Sequence, residues 1–153
     1  MIQEDTGTQD LLVRLEDKVA VITLNRPEAR NAMSGEMNAA LQKALYEAEL
    51  DPQVGCIVLT GAGKGFCAGG DVKGMASSGD GTVGDNTIDG AIHRQRDNQR
   101  ATAGKLFKMP KPTIASLPGA AAGAGLSLAL ACDLRIMSSK AFMTTAFAKV
   151  GFS

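Results

Sequence analysis

CIVLTGAGKGFCAGGDVK, residues 56–73, changes character twice within one short stretch. Cys56-Ile57-Val58-Leu59-Thr60 is a continuous apolar run bounded by glycines, the pattern of a short strand buried on both faces. Gly61 to Gly70 is a glycine-rich loop, and a short helix is expected to begin near Asp71. Residues 113–131, TIASLPGAAAGAGLSLALA, repeat the arrangement. Thr113–Leu117 reads as a buried strand, Pro118–Gly125 as a turn of tiny residues, and the stretch through Ala131 as a helix. Strand, turn and helix recurring in this order predict an α/β fold with mainly parallel pairing.

Outward from these units, Leu11, Val13 and Leu15 alternate with polar residues, Glu16-Asp17-Lys18 makes a turn, and Val19–Leu24 runs back as a second strand. Asn25-Arg26-Pro27 ends it. Ser34 suits an N-cap, and Met37, Leu41, Ala44, Leu45 and Ala48 recur at helical spacing up to Leu50, where Asp51-Pro52 stops the helix. Residues 76–90, ASSGDGTVGDNTIDG, are small and polar and are expected to form a mobile loop. A helix is predicted from Ile92 to Met109, halted by Pro110 and Pro112, and a last strand over Asp133–Met137.

The chain has 153 residues, enough for one domain with a core, and its 16 basic and 16 acidic residues cancel. A neutral chain has no general attraction for nucleic acid or an anionic membrane, so any polyanionic ligand must be held by local features. Cys56, Cys67 and Cys132 are isolated, without the spacing of a zinc site or disulfide framework. The acidic, polar start MIQEDTGTQD is unlike a secretory or transit peptide, and no apolar run approaches membrane-spanning length. A soluble protein in the reducing cytoplasm is expected.

The chemistry concentrates in the two glycine-rich turns. A turn between a strand and a helix presents backbone N–H groups where negative charge is favoured, and tiny side chains let a ligand approach the main chain. Such a turn could be a phosphate cradle, plain tight packing, or half of an oxyanion hole to which each turn gives one N–H. Neither turn supplies G-x-G-x-x-G after its strand. Gly63-Lys64 hints at a P-loop, but Gly65 stands where Ser or Thr is needed and Val58 where the first glycine is needed.

Three segments together resemble the crotonase (enoyl-CoA hydratase/isomerase) superfamily. Leu24-Asn25-Arg26-Pro27-Glu28-Ala29-Arg30-Asn31-Ala32 is similar to its LNRP-x-x-x-NA segment, and Phe66–Lys73 with Met75 to its F-x-A-G-x-D-[IVL]-x-x-M stretch. Pro118–Asp133 resembles its N-G-x-x-x-G-G-G motif, running into a helix that ends in Cys-Asp. The resemblance extends over residues 11–153 and implies the crotonase-type ββα spiral fold, with a core beginning about residue 11. The chain ends in KVGFS, which looks cut rather than finished, and the family's C-terminal helical region is expected to be absent from it. Relatives assemble as trimers or dimers of trimers, so a homotrimer or hexamer is expected of the full-length protein.

Position by position, the resemblance implies that the backbone N–H groups of Gly70 and Ala124 form an oxyanion hole for a thioester carbonyl. Ala124 replaces the middle glycine of the family's triplet, which keeps the N–H and adds a methyl. The segments Glu28–Ala32 and Ala68–Lys73 resemble the CoA pocket. That makes Glu28, Arg30, Ala32, Ala68, Gly69, Asp71, Val72 and Lys73 candidate binding residues, with Arg30 and Lys73 for phosphates. Gly123, Ser127 and Phe147 are placed beside the acyl group. No metal is expected, and no cofactor beyond the coenzyme A that arrives in an acyl-CoA substrate.

Family hydratases carry two glutamates, at the positions of Ser127 and Phe147 here. A hydroxyl of ordinary pKa is a poor proton carrier and Phe carries none. Isomerase-type chemistry is therefore favoured over hydration, with the acid–base residue expected beyond Ser153; the alternative is a catalytically inactive acyl-CoA-binding relative. Ser127 could bond a substrate or water, or pack in its helix. Asp71 is expected to orient its turn by helix capping, Asp133 to be structural, and His93 to sit on a solvated face. Cys67 lacks a base to activate it.

Overall fold

The computed structural model describes residues 2–71 and 87–146. Its centre is a six-stranded sheet in the order β1-β2-β3-β4-β5-β7. The strands are β1 (Ile2–Glu4), β2 (Leu11–Glu16), β3 (Val19–Leu24), β4 (Cys56–Gly61), β5 (Thr113–Leu117) and β7 (Leu134–Met137). β1, β2 and β3 pair antiparallel, and β3, β4, β5 and β7 pair parallel. The expected α/β architecture with a mainly parallel centre is what forms. A small parallel pair, β6 (Ala121–Ala122) with β8 (Met143–Thr144), sits beside it.

Among the described residues four helices join these strands: α1 (Gly35–Leu50), α2 (Ile88–Ala101), α3 (Ala103–Phe107) and α4 (Ala124–Ala131). Ser34 caps α1 as its sequence suggests, its hydroxyl accepting from the Met37 N–H at 3.0 Å. Met37, Leu41 and Leu45 are fully buried, one helical turn apart. At the other end Lys111 donates to the carbonyls of Ala48 and Asp51, satisfying groups that a helix C-terminus leaves open.

Register lines up one face of the sheet. Ala20, Ile22 and Leu24 of β3 stand beside Ile57, Leu59 and Gly61 of β4, and Ile57 and Leu59 stand beside Thr113 and Ala115 of β5. All eight are buried, and they share one core with the buried residues of α1, with Leu106 of α3, and with Leu128 of α4. Here the expectation for residues 56–60 is corrected. Ile57 and Leu59 are buried, but Cys56, Val58 and Thr60 are only half-buried, so the second face of β4 is not closed over.

Two further expectations change, and one strand is added. Ahead of Leu11, the first buried core residue, β1 adds an edge strand through backbone pairing, Ile2 opposite Leu15 and Glu4 opposite Val13. The helix predicted over 92–109 starts earlier, at Ile88 behind a Thr87 cap, and breaks at Thr102. Thr102 is buried, lies at φ −113° and ψ −90°, and returns its hydroxyl to the Asn98 carbonyl at 2.7 Å. The break lets residues 92–100 stay exposed while Leu106 turns into the core. Residues 88–90 of the expected mobile loop are helical, and 76–86 lie outside the described residues. No helix among the described residues is long and apolar enough to cross a membrane.

Candidate active site

The two glycine-rich turns pack directly against each other. Phe66 and Cys67 both donate their N–H to the Ala120 carbonyl, at 3.1 and 3.2 Å, and Ala122 donates to the Cys67 carbonyl at 2.9 Å. The approach is so close that only glycine fits at two points. A Cβ on Gly119 would lie 2.0 Å from the Lys64 carbonyl oxygen, and one on Gly125 would lie 2.4 Å from that of Cys67. Gly69 adopts φ +98° and faces the second turn; a Cβ there would stand 3.0 Å from the Ala122 oxygen and 3.4 Å from the Ala124 nitrogen.

Among the described residues this geometry leaves two N–H groups, those of Gly70 and Ala124, without an acceptor. Gly70 forms a parallel bridge with Met33, in which Met33 N–H donates to the Gly69 carbonyl at 2.8 Å and Asp71 N–H to the Met33 carbonyl at 3.3 Å. That bridge uses the neighbours of Gly70 and turns its own N–H to the opposite side. Ala124 is the first residue of α4, where an N–H has no intrahelical acceptor. Among the described residues neither N–H meets an acceptor. Gly123 precedes Ala124 at φ +52° and donates to the Thr144 carbonyl, so the added strand pair holds the second turn in place.

A cleft of about 430 Å³ opens along the same turns. Gly65, Ala68, Ala120 and Ala122 form its main-chain wall, Phe142 and Thr144 its far side, and Arg30 and Lys64 its charged rim. No carboxylate lines it among the described residues, and neither rim cation has an ion-pair partner there. Among the described residues the cleft therefore has a positive edge without a carboxylate beside it, next to a small-residue interior.

Asn31 builds the wall from beneath. Fully buried and at φ +56°, it accepts from the Arg26 N–H at 2.9 Å and donates to the carbonyls of Ala62 and Gly65, each at 2.9 Å. Left-handed backbone suits Asn better than most residues. Arg26 holds the neighbouring strand, donating from one Nη to the Ala32 carbonyl at 2.8 Å and to the Asp71 carboxylate at 2.9 Å.

The residues proposed from sequence separate into groups. Gly69 meets Gly123 and Ala124 at the junction of the turns, with Gly70 next to it in the chain, and none of the four is among the residues that line the cleft. Arg30 and Ala68 line the cleft and are joined by an Ala68 N–H bond to the Arg30 carbonyl at 3.0 Å. Glu28 is exposed on the 3₁₀ turn Pro27–Ala29 and does not line the cleft, while Ala32 meets Arg26 instead. Ser127 does not pack: it is exposed, with its hydroxyl 3.4 Å from the Gly123 carbonyl one turn earlier. Asp71 directs its carboxylate to Arg26; the helix expected to start beside it lies outside the described residues, as do Val72, Lys73 and Phe147.

Sequence reading missed Lys64, Arg26 and Asn31 as site residues, and Phe142 and Thr144 altogether. Asn31 and Arg26 sit inside a quoted motif, which was the available signal; Phe142 and Thr144 carry none. His93 is exposed on α2, and Asp133 accepts from Thr113 N–H and hydroxyl, both at 2.8 Å, as a structural residue would. Burial pushes the Cys67 thiol up to about 11 against a smaller lowering by the Gly69 N–H, so it is a weak nucleophile at neutral pH. No cluster able to hold a metal occurs among the described residues.

Comparison with known proteins converges on one family. Over 141 residues the chain is 42% identical to the probable enoyl-CoA hydratase EchA14 of Mycobacterium tuberculosis, covering 92% of this chain and 52% of that protein. It is 38% identical to the 1,2-epoxyphenylacetyl-CoA isomerase of Escherichia coli, again covering 92% of this chain and 52% of the relative. The crystal structure of an enoyl-CoA hydratase from Mycobacterium avium subsp. paratuberculosis superposes with a TM-score of 0.79 at 29% identity, over 94% of this chain and 53% of that one. The chain thus spans about half the length of the relatives it matches. With residues 14–153 matching the family and the sheet sharing its fold, the chain belongs to the enoyl-CoA hydratase/isomerase (crotonase) family.

Proposed function

We propose that the full-length protein binds an acyl-CoA thioester and stabilises its enolate, and that isomerisation of an enoyl-CoA is its reaction in preference to hydration. The observation that supports this reading is that the Gly70 and Ala124 N–H groups meet no acceptor among the described residues and sit on turns locked together by main-chain bonds. The thioester oxygen accepts from both. Loss of a proton from the carbon next to the carbonyl moves an electron pair into the carbon–carbon bond and negative charge onto that oxygen, where two preorganised donors stabilise it. Protonation further along the chain then shifts the double bond. The group that moves the proton is proposed to lie outside the described residues, since Ser127 is exposed, back-bonded and of ordinary hydroxyl chemistry.

Arg30 and Lys64 on the rim, which have no ion-pair partner among the described residues, are proposed to meet CoA phosphates. Coenzyme A arrives with the substrate, and no metal or other cofactor is proposed. A homotrimer or hexamer is proposed for the full-length protein, where contacts between copies can cover apolar surface such as Leu134 and Ile136, 61% and 63% exposed on the edge strand β7.

The deciding experiment offers the full-length protein a 3-enoyl-CoA and, separately, crotonyl-CoA. Faster double-bond migration than hydration is the expected result. Brisk hydration of crotonyl-CoA overturns the argument from Ser127 and Phe147. Tight acyl-CoA binding with neither reaction identifies an inactive binding relative, and no binding at all removes the reading entirely.

A further inference from the structure

Gly70 owes its orientation to a two-bond bridge whose second bond, Asp71 N–H to the Met33 carbonyl, is 3.3 Å long. A single guanidinium reinforces both sides of that bridge. Nη1 of Arg26 donates at 2.8 Å to the carbonyl of Ala32, the residue before Met33, and at 2.9 Å to the carboxylate of Asp71, the residue after Gly70. Its Nε stands 3.4 Å from the Asp10 carboxylate, which accepts from the Ser34 hydroxyl at 2.6 Å, the same hydroxyl that caps α1. The side chains of Arg26, Asp71 and Asp10 are 20%, 22% and 25% exposed, so the cluster is shielded enough for geometry to matter.

We propose that Arg26 is a positioning residue, which aims the Gly70 N–H by stapling Ala32 and Asp71 across the Met33–Gly70 bridge. The inference rests on the reading that this N–H receives the thioester oxygen. Arg26 reaches Gly70 only by way of the flanking residues Ala32 and Asp71, so the effect passes through the backbone. The planar fork of arginine holds several acceptors in fixed directions, which a lysine ammonium does not.

Displacement of a positioned group by about 1 Å costs on the order of 100-fold in rate. Arg26→Gln in the full-length protein is therefore expected to lower kcat by about 10–100-fold while KM changes by less than about threefold. Arg26→Lys recovers part of the loss. The direct readout is the infrared stretch of a ¹³C-labelled thioester carbonyl in bound acyl-CoA, which falls in frequency as hydrogen bonds to its oxygen strengthen. The wild type is expected to show a downshift and Arg26→Gln a smaller one at saturating ligand. Should Arg26→Gln fail to fold, Asp71→Asn carries the test with the same expectation, because it keeps the Arg26 bond to Ala32.

An undiminished downshift with wild-type kcat in a folded Arg26→Gln or Asp71→Asn variant overturns the positioning role and leaves the two-donor reading standing. A wild type with bound ligand and no downshift overturns the two-donor reading, and this inference with it.

Discussion

Gly125→Ala puts the contact between the two turns under load. The added Cβ would stand 2.4 Å from the Cys67 carbonyl oxygen and 2.6 Å from the Cys67 Cβ, whereas ordinary contact begins near 3.4 Å. Some atom must retreat by about 1 Å to restore normal separation. Cys67 is poorly placed to do so: it is fully buried, its N–H bonds the Ala120 carbonyl, and its own carbonyl accepts from Ala122. The start of α4 yields instead and carries the Ala124 N–H with it. A hydrogen bond near 2.9 Å that lengthens by more than about 0.6 Å is no longer one. Overpacking of this kind costs about 1–3 kcal/mol of stability. Loss of one of two oxyanion donors lowers kcat by roughly 100- to 1,000-fold. Urea unfolding and steady-state turnover of the full-length protein read the two effects separately. Gly35→Ala is the control, since a Cβ there meets nothing within 4 Å at the start of α1, and it is expected to be neutral or slightly stabilising. A Gly125→Ala enzyme with wild-type kcat would refute the reasoning.

Asn31→Ala removes three buried hydrogen bonds and places alanine at φ +56°, so a loss of about 3–5 kcal/mol is expected in chemical denaturation; a loss under about 1 kcal/mol contradicts the role given to Asn31. Burial holds both Cys67 and Cys132 up at about 11, which leaves about one thiolate in a thousand at pH 8, so neither should react with a maleimide until the protein unfolds. Mass spectrometry of the labelled native protein checks this, and rapid modification of Cys67 counts against its burial behind the turn. The Thr113 N–H and hydroxyl hold the Asp133 carboxyl below its ordinary 3.8, so its stabilising effect is complete above that value and is lost as pH falls through the lower folded value. The stability gap between wild type and Asp133→Asn should be constant from about pH 5 to 8 and narrow below about 4, and a gap independent of pH would exclude this linkage.

The strand–turn–helix units were legible because their requirements are local. Gly61, Gly119 and Gly125 stand where a Cβ would strike main chain, and the apolar spacing of Leu11, Val13 and Leu15 in β2 and the Ser34 cap announce themselves within a few residues. What escaped depends on partners far away in the chain. β1 is polar and short and exists only because β2 offers an edge, and β6 and β8 are two residues each, paired across more than twenty positions. The break at Thr102 interrupts a helical pattern that runs on through it, and is set by which residues reach the core. The same holds in the site. The turns that carry Gly70 and Ala124 were readable, but Lys64 on the rim and the reach of Arg26 to Ala32 and Asp71 emerge only from the fold. Ser127 was readable either as a substrate contact or as a packed helix residue, and only the fold shows it exposed on α4.

The most direct test is a crystal structure of the full-length protein with a bound acyl-CoA. The thioester oxygen should lie within about 3.2 Å of both the Gly70 and the Ala124 nitrogens, with the phosphates toward Arg30 and Lys64. A thioester oxygen that meets neither nitrogen would contradict the assignment of these turns as its donors.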